Sequence, residues 1–153
     1  MIHYLHREQN IPGTLNEVWD FFGEPLNLNT ITPGDMNFEI VAGGDAKMYE
    51  GQMIEYRVEF IRGVRSLWLT EITHVRDREY FVDEQRIGPY RLWHHEHIFA
   101  AMAGGVKMTD KISYVPPYGF LGDLVHDLWV GRRLRQIFDF RQKRITELFG
   151  SME

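Results

Sequence analysis

Residues 91–100 read RLWHHEHIFA, placing three histidines and a glutamate in four consecutive positions between a tryptophan and a phenylalanine. Imidazoles and carboxylates are the side chains that ligate metals, move protons near neutral pH and hold the polar end of a ligand. Alternate residues of a strand share a face, roughly 6.5–7 Å apart at i and i+2. One face therefore carries Trp93, His95, His97 and Phe99, and the other Leu92, His94, Glu96 and Ile98. Each set is apolar at its ends and polar between, so alternation alone leaves the inward face open.

Neighbouring segments offer partners. Phe81, Asp83 and Gln85 share a face in FVDEQ, Asp110, Ile112 and Tyr114 in TDKISY, and Trp68, Thr70 and Ile72 in LWLTEI. An unpaired buried carboxylate costs several kcal/mol, so an inward Asp83 or Asp110 requires a His or Arg partner or a wet pocket. Three readings stand. The residues form a hydrogen-bonded interior network, or they orient the polar end of a ligand, or a His–Asp pair (candidates His95, His97 and Asp110) works as general acid and base. A metal is not expected. A His-x-His pair on a strand can chelate, and Asp83 or Asp110 could serve as a third ligand, but His94 and His95 are adjacent and cannot share a face, and FAAMAGG follows where a cupin-type motif has its glutamate. No cofactor is expected either.

The elements that position these residues follow from turn signals and periodicity. Residues 2–9 read as a strand. TLNEVWDFFG reads as a helix, with Thr14 and Glu17 at capping-box spacing and Gly23 at its end. A second short helix begins at Pro25 and stops before Pro33. Strands are expected at 36–42, 50–61, 65–75, 79–86, 90–101 and 105–115, with short breaks that favour an antiparallel meander. Gly88-Pro89-Tyr90 forms one turn, where glycine supplies backbone freedom. Residues 120–149 carry Leu121, Leu124, Leu128, Leu134, Ile137, Phe138, Ile145 and Leu148 at helical spacing, interrupted at Gly131. A helix of that length, about 45 Å, is the element able to cover the apolar face of a bent sheet, and space left beneath it would take a ligand.

The 153 residues suggest a single domain, 1–153. A formal charge of −5 argues against a nucleic-acid partner. The absence of cysteine excludes disulfides and thiolate metal sites, and no run approaches the length of a membrane span. The expected setting is the cytoplasm. Residues 131–144 hold six basic residues against one acidic, which reads first as a solvated helix face and second as a peripheral contact with an anionic membrane. Arg141 alone lies inside the apolar stripe, within reach of a carboxylate.

The segments VWDFF, NLNTITP, GQMIEYRV, LWLTEITHV, FVDEQRIGPYRLWHHEHIF, TDKISYVPPYG and IFDFR, taken in order, cover almost the whole chain. Together they resemble the START-like (SRPBCC) superfamily, in particular its bacterial ligand-binding branch related to polyketide cyclases and dehydrases. The resemblance implies an α+β helix-grip fold: a bent antiparallel sheet of about seven strands, two short helices after the first strand, and a long C-terminal helix across a cavity. It also turns Trp93, His95, His97 and Phe99 inward. The expected function is binding of a small apolar or amphipathic molecule. Tyr56, Trp68, Trp93 and Phe99 would supply stacking area, and Asp83, Gln85, His95, His97 and Asp110 polar recognition. The alternative is an enzyme of the cyclase, dehydratase or hydrolase type.

Overall fold

The computed structural model describes residues 1–117 and 129–152. Among them lie the strands β1 (His3–Pro12), β2 (Glu39–Ala42), β3 (Met53–Ile61), β4 (Val64–Arg76), β5 (Tyr80–Ile87), β6 (Leu92–Met102) and β7 (Gly105–Val115), with the helices α1 (Leu15–Phe22) and α2 (Gly131–Phe149). The strands form one antiparallel sheet in the order β1-β7-β6-β5-β4-β3-β2. Strands β2 to β7 run as the expected meander. β1 comes back to pair with β7, from His3 opposite Tyr114 to Pro12 opposite Gly105.

Local chemistry explains the boundaries. Thr14 Oγ1 accepts the Glu17 N–H at 3.2 Å, while the Thr14 N–H donates to Glu17 Oε2 at 2.8 Å, a reciprocal cap that starts α1. The second short helix spans Pro25–Ile31 but winds as a 3₁₀ helix rather than an α-helix. Thr32 Oγ1 donates to the Leu28 carbonyl and the Asn27 amide to the Phe21 carbonyl, local bonds that suit tight winding. The start expected for β2 is also displaced: Gly34–Met36 forms a further 3₁₀ turn. Of the terminal helix, the expected turns at 120–128 lie outside the described residues.

Two glycines shape the turns differently. Gly43 has φ +77°, and a Cβ there would lie 1.9 Å from the Met53 carbonyl oxygen. At Gly88 the need is room rather than left-handed backbone, because a Cβ would sit 2.4 Å from Gln85 Oε1.

Burial alternates along the strands as period two requires. Ile54, Tyr56, Val58 and Phe60 of β3 are buried, as are Trp93, His95, His97 and Phe99 of β6 and Met108, Asp110, Ile112 and Tyr114 of β7. Register shifts between β4 and β5 at Leu69/Thr70 and Ile72/His74 help bend the sheet. α2 lays Leu134, Ile137, Phe138 and Ile145 over its inner face. Tyr90, Trp93, Tyr114, Leu134 and Phe138 belong to one core cluster, and Trp19, Phe81, Phe99 and Ile145 to another. No helix among the described residues is long and apolar enough to cross a membrane.

Candidate functional site

Between these layers lies a cavity of ≈ 170 Å³. The sheet contributes Tyr56, Trp68 and Trp93, α1 and the 3₁₀ segment contribute Phe22 and Leu28, and α2 contributes Ile137 and Phe138. On the sheet wall Asp83, His95 and His97 face the space together and Arg141 approaches from α2, while Glu24, Asn27, Thr32 and Thr70 add further polar lining.

Strand pairing builds this polar cluster. The register sets Asp83 of β5 opposite His95 of β6, and His97 opposite Asp110 of β7. The two imidazoles stand one above the other with centroids 3.6 Å apart, clamped between the two carboxylates. His97 Nε2 lies 2.6 Å from Asp83 Oδ2, and His95 Nε2 lies 2.8 Å from Asp110 Oδ1. The remaining contacts are longer: His95 Nδ1 to Asp83 Oδ2 is 3.5 Å, and His97 Nδ1 to Asp110 Oδ1 is 3.3 Å without hydrogen-bond geometry. Trp93 Nε1 donates to Asp83 Oδ1 at 3.2 Å. Phe81 stacks on the outer imidazole, 4.0 Å from the His97 ring.

Burial opposes every charge here, and the partners decide each outcome. For Asp110, burial acts upward, but the hydrogen bonds from His95 and the nearness of His97 hold the carboxyl far below its usual range. Asp83 is likewise held down, against burial, by His95, His97 and the Trp93 N–H. Burial and then the neighbouring His97 charge lower His95, outweighing both carboxylates. In His97 burial also acts downward, but Asp110 and Asp83 prevail and raise it. The same surroundings thus push the two imidazoles in opposite directions, His95 down and His97 up.

Arg141 lies over the Phe138 ring, 4.8 Å from its centroid. Its Nε is buried without a hydrogen-bond partner, and among the described residues it forms no salt bridge. Burial lowers its pKa, while Asp110 and Asp83 act from a distance in the opposite sense. It faces both the cavity and a small cleft toward β1 that Asp110 also lines.

Of the residues expected at a site, Tyr56, Trp68, Asp83, Trp93, His95 and His97 are brought together around the cavity. Three placements need correction. Gln85 is tied to the next turn, its amide donating to the Tyr90 carbonyl at 2.6 Å and its Oε1 accepting the Tyr90 N–H at 3.1 Å. Phe99 points inward but beyond the cavity, edge-on to Trp19 at 5.3 Å. Asp110 stands behind the imidazoles, so it supports them without lining the cavity. Phe21, Phe22, Leu28 and Phe138, none of them singled out for the site from the sequence, also line the cavity. The helical stripe containing Leu134, Ile137 and Phe138 was the available signal for α2.

The bent sheet, the helix across it and the cavity between them define an α+β helix-grip fold. No family model and no curated protein matches the sequence. Solved structures do match. Similar ones include the Zhui aromatase/cyclase from Streptomyces sp. R1128, at 11% identity and TM-score 0.74 over 95% of this chain and 92% of that one. Ginseng major latex-like protein 151 from Panax ginseng is 14% identical with TM-score 0.71, covering 97% of each chain. Protein CV1439 from Chromobacterium violaceum is 15% identical with TM-score 0.71 over 99% of both. At these identities the likeness establishes the helix-grip fold and nothing finer.

Proposed function

We propose that this chain binds a small, largely apolar molecule in the cavity, with the polar end of that molecule against Asp83, His95 and His97. The observation that carries the reading is the make-up of the lining: mostly aromatic and aliphatic side chains, with the hydrogen-bonded Asp83, His95 and His97 cluster on the sheet wall. An engineered apolar cavity of roughly 150 Å³ admits benzene, so ≈ 170 Å³ suits a ring-sized body. Solved neighbours include an aromatase/cyclase, so the fold is compatible with chemistry as well as with binding.

A second reading has its own support. The 2.6 Å contact between His97 and Asp83 at the cavity wall can hold and transfer a proton, as a cyclase, dehydratase or hydrolase requires. His97→Ala separates the two: a carrier loses affinity, whereas an enzyme keeps its ligand and loses turnover. The acidic balance disfavours nucleic acid, and a cysteine-free chain suits the cytoplasm. Membrane docking through α2 has weaker support, because Arg133 is paired with Asp35 at 2.9 Å, and Arg144 with Glu147.

Native mass spectrometry of the chain purified from its own host tests the binding reading. The expected result is a bound mass above the 18.1 kDa chain, absent from an Ile137→Trp variant whose indole fills the cavity. A wild-type chain of bare mass that also takes up no ring-sized compound would overturn it.

A further inference from the structure

Three donor residues face the cavity together. One donor atom each from Asp83, His95 and His97 lies within 4.8 Å of the others. Asp83 Oδ2 is 2.6 Å from His97 Nε2 and 3.5 Å from His95 Nδ1. Ligands about 2.1 Å from a common ion, at angles between roughly 90° and 110°, stand about 3.0–3.4 Å apart. Two of the three separations bracket that range and the third is no more than 4.8 Å, so side-chain shifts on the order of 1 Å would close the donors around an ion.

The surroundings sort in the same way. The opposite ring nitrogens, His95 Nε2 and His97 Nδ1, both face Asp110 Oδ1, at 2.8 and 3.3 Å. A carboxylate behind the far nitrogen is what fixes ring orientation at metal-bound histidines. Asp110 is 8% exposed and off the cavity, while the three donors line it. The space in front leaves coordination positions open to water or to a guest. His94 on the outer face makes a natural control, because its two nitrogens address different carboxylates, Glu84 at 3.0 Å and Glu96 at 3.9 Å.

We propose that Asp83, His95 and His97 form a three-ligand site for one divalent transition-metal ion, backed by Asp110 and open to the cavity. Two imidazoles and one carboxylate, with no thiolate, suit zinc, ferrous iron, cobalt or nickel better than magnesium or calcium. On binding, the ion takes the place of the proton between His97 and Asp83, and that proton leaves to solvent. The sequence reading set a metal aside because His94 and His95 cannot share a face. The pair that does share one is His95 and His97, and β5 brings Asp83 to it.

The test uses the whole chain, stripped with a chelator and titrated with Zn²⁺ by calorimetry and with Co²⁺ by visible absorption. One equivalent should bind. Asp83→Asn and His97→Gln should each weaken binding at least 100-fold, Asp110→Asn about 10- to 100-fold, and His94→Ala should leave it unchanged. Failure of the wild-type chain to take up a stoichiometric ion overturns the proposal, as does binding that His94→Ala abolishes and Asp83→Asn spares. Should a variant misfold, the wild-type chain still decides: Co²⁺ should shift and broaden the His95 and His97 ring resonances, and an ion that spares them contradicts the site. Uptake of a ring-sized compound by the stripped chain is a separate measurement, so this inference and the binding reading can fail independently.

Discussion

Two clusters of histidine and carboxylate sit on β5 and β6, one residue apart along each strand and on opposite faces of the sheet. Inside, Asp83 meets His95 and His97. Outside, Glu84 meets His94 at 3.0 Å, with Arg86 and Glu71 alongside. The inner imidazoles are 3% and 6% exposed, whereas His94 keeps 34% of its side-chain surface in water. Water screens the outer pair and can replace either member, so such pairs contribute little to stability. Solvent reaches the inner imidazoles far less, and losing Asp110 behind them leaves a charge or a donor stranded. One sequence motif thus supplies two chemistries, separated only by the pleat.

The largest expected effect tests that contrast directly. Asp110→Ala removes the backing of both inner imidazoles and should destabilise the chain by about 3–5 kcal/mol, the usual cost of breaking a buried pair. That corresponds to a fall in Tm of roughly 10 °C for a chain of this size. Its outer counterpart, Glu84→Ala, should cost about 1 kcal/mol or less. Equal Tm shifts in calorimetry would dissolve the distinction between the faces.

Next comes Gln85→Ala. It strands the Tyr90 N–H and carbonyl under the β5–β6 turn, and a loss of about 2 kcal/mol is expected in urea unfolding. A neutral result would mean that the amide clasp does not hold the turn. Narrower in what it tests is Trp93→Phe, which keeps one aromatic ring of the indole and deletes the N–H that reaches Asp83. The N–H should account for about 1 kcal/mol of the loss, and that share should vanish in an Asp83→Ala background, which offers no acceptor. Persistence of the full loss there would assign it to packing.

Most of the architecture was legible because each signal was local. Turn residues separated the strands, Thr14 and Glu17 announced their helix, and period two gave the inward set on β6 once the family resemblance had chosen the face. Depth along a strand was not legible. Phe99 faces inward as expected, but two residues beyond His97 the space is filled by Trp19 and Phe22 from α1. Gln85 follows Asp83 by two residues, yet at the end of β5 its amide finds backbone groups that no pattern of types discloses. Asp110 was correctly associated with the histidines, but which side of them it occupies depends on the β6–β7 register. Arg141 stood out as a cation in an apolar stripe. Its buried, partnerless Nε emerges only from the packing of α2 over the cavity, where the guanidinium lies on the Phe138 ring of the same helix.

The central claim is that the space lined by Trp68, Trp93 and His97 accepts a guest. Indole N–H resonances of the wild-type chain, followed by NMR during titration with small aromatic alcohols and acids, test it most directly. The account predicts saturable shifts of the Trp68 and Trp93 signals, with the Trp129 signal nearly still, and loss of those shifts in Ile137→Trp. Uniform, non-saturating drift of all the indoles, or saturable shifts that survive filling of the cavity, would contradict it.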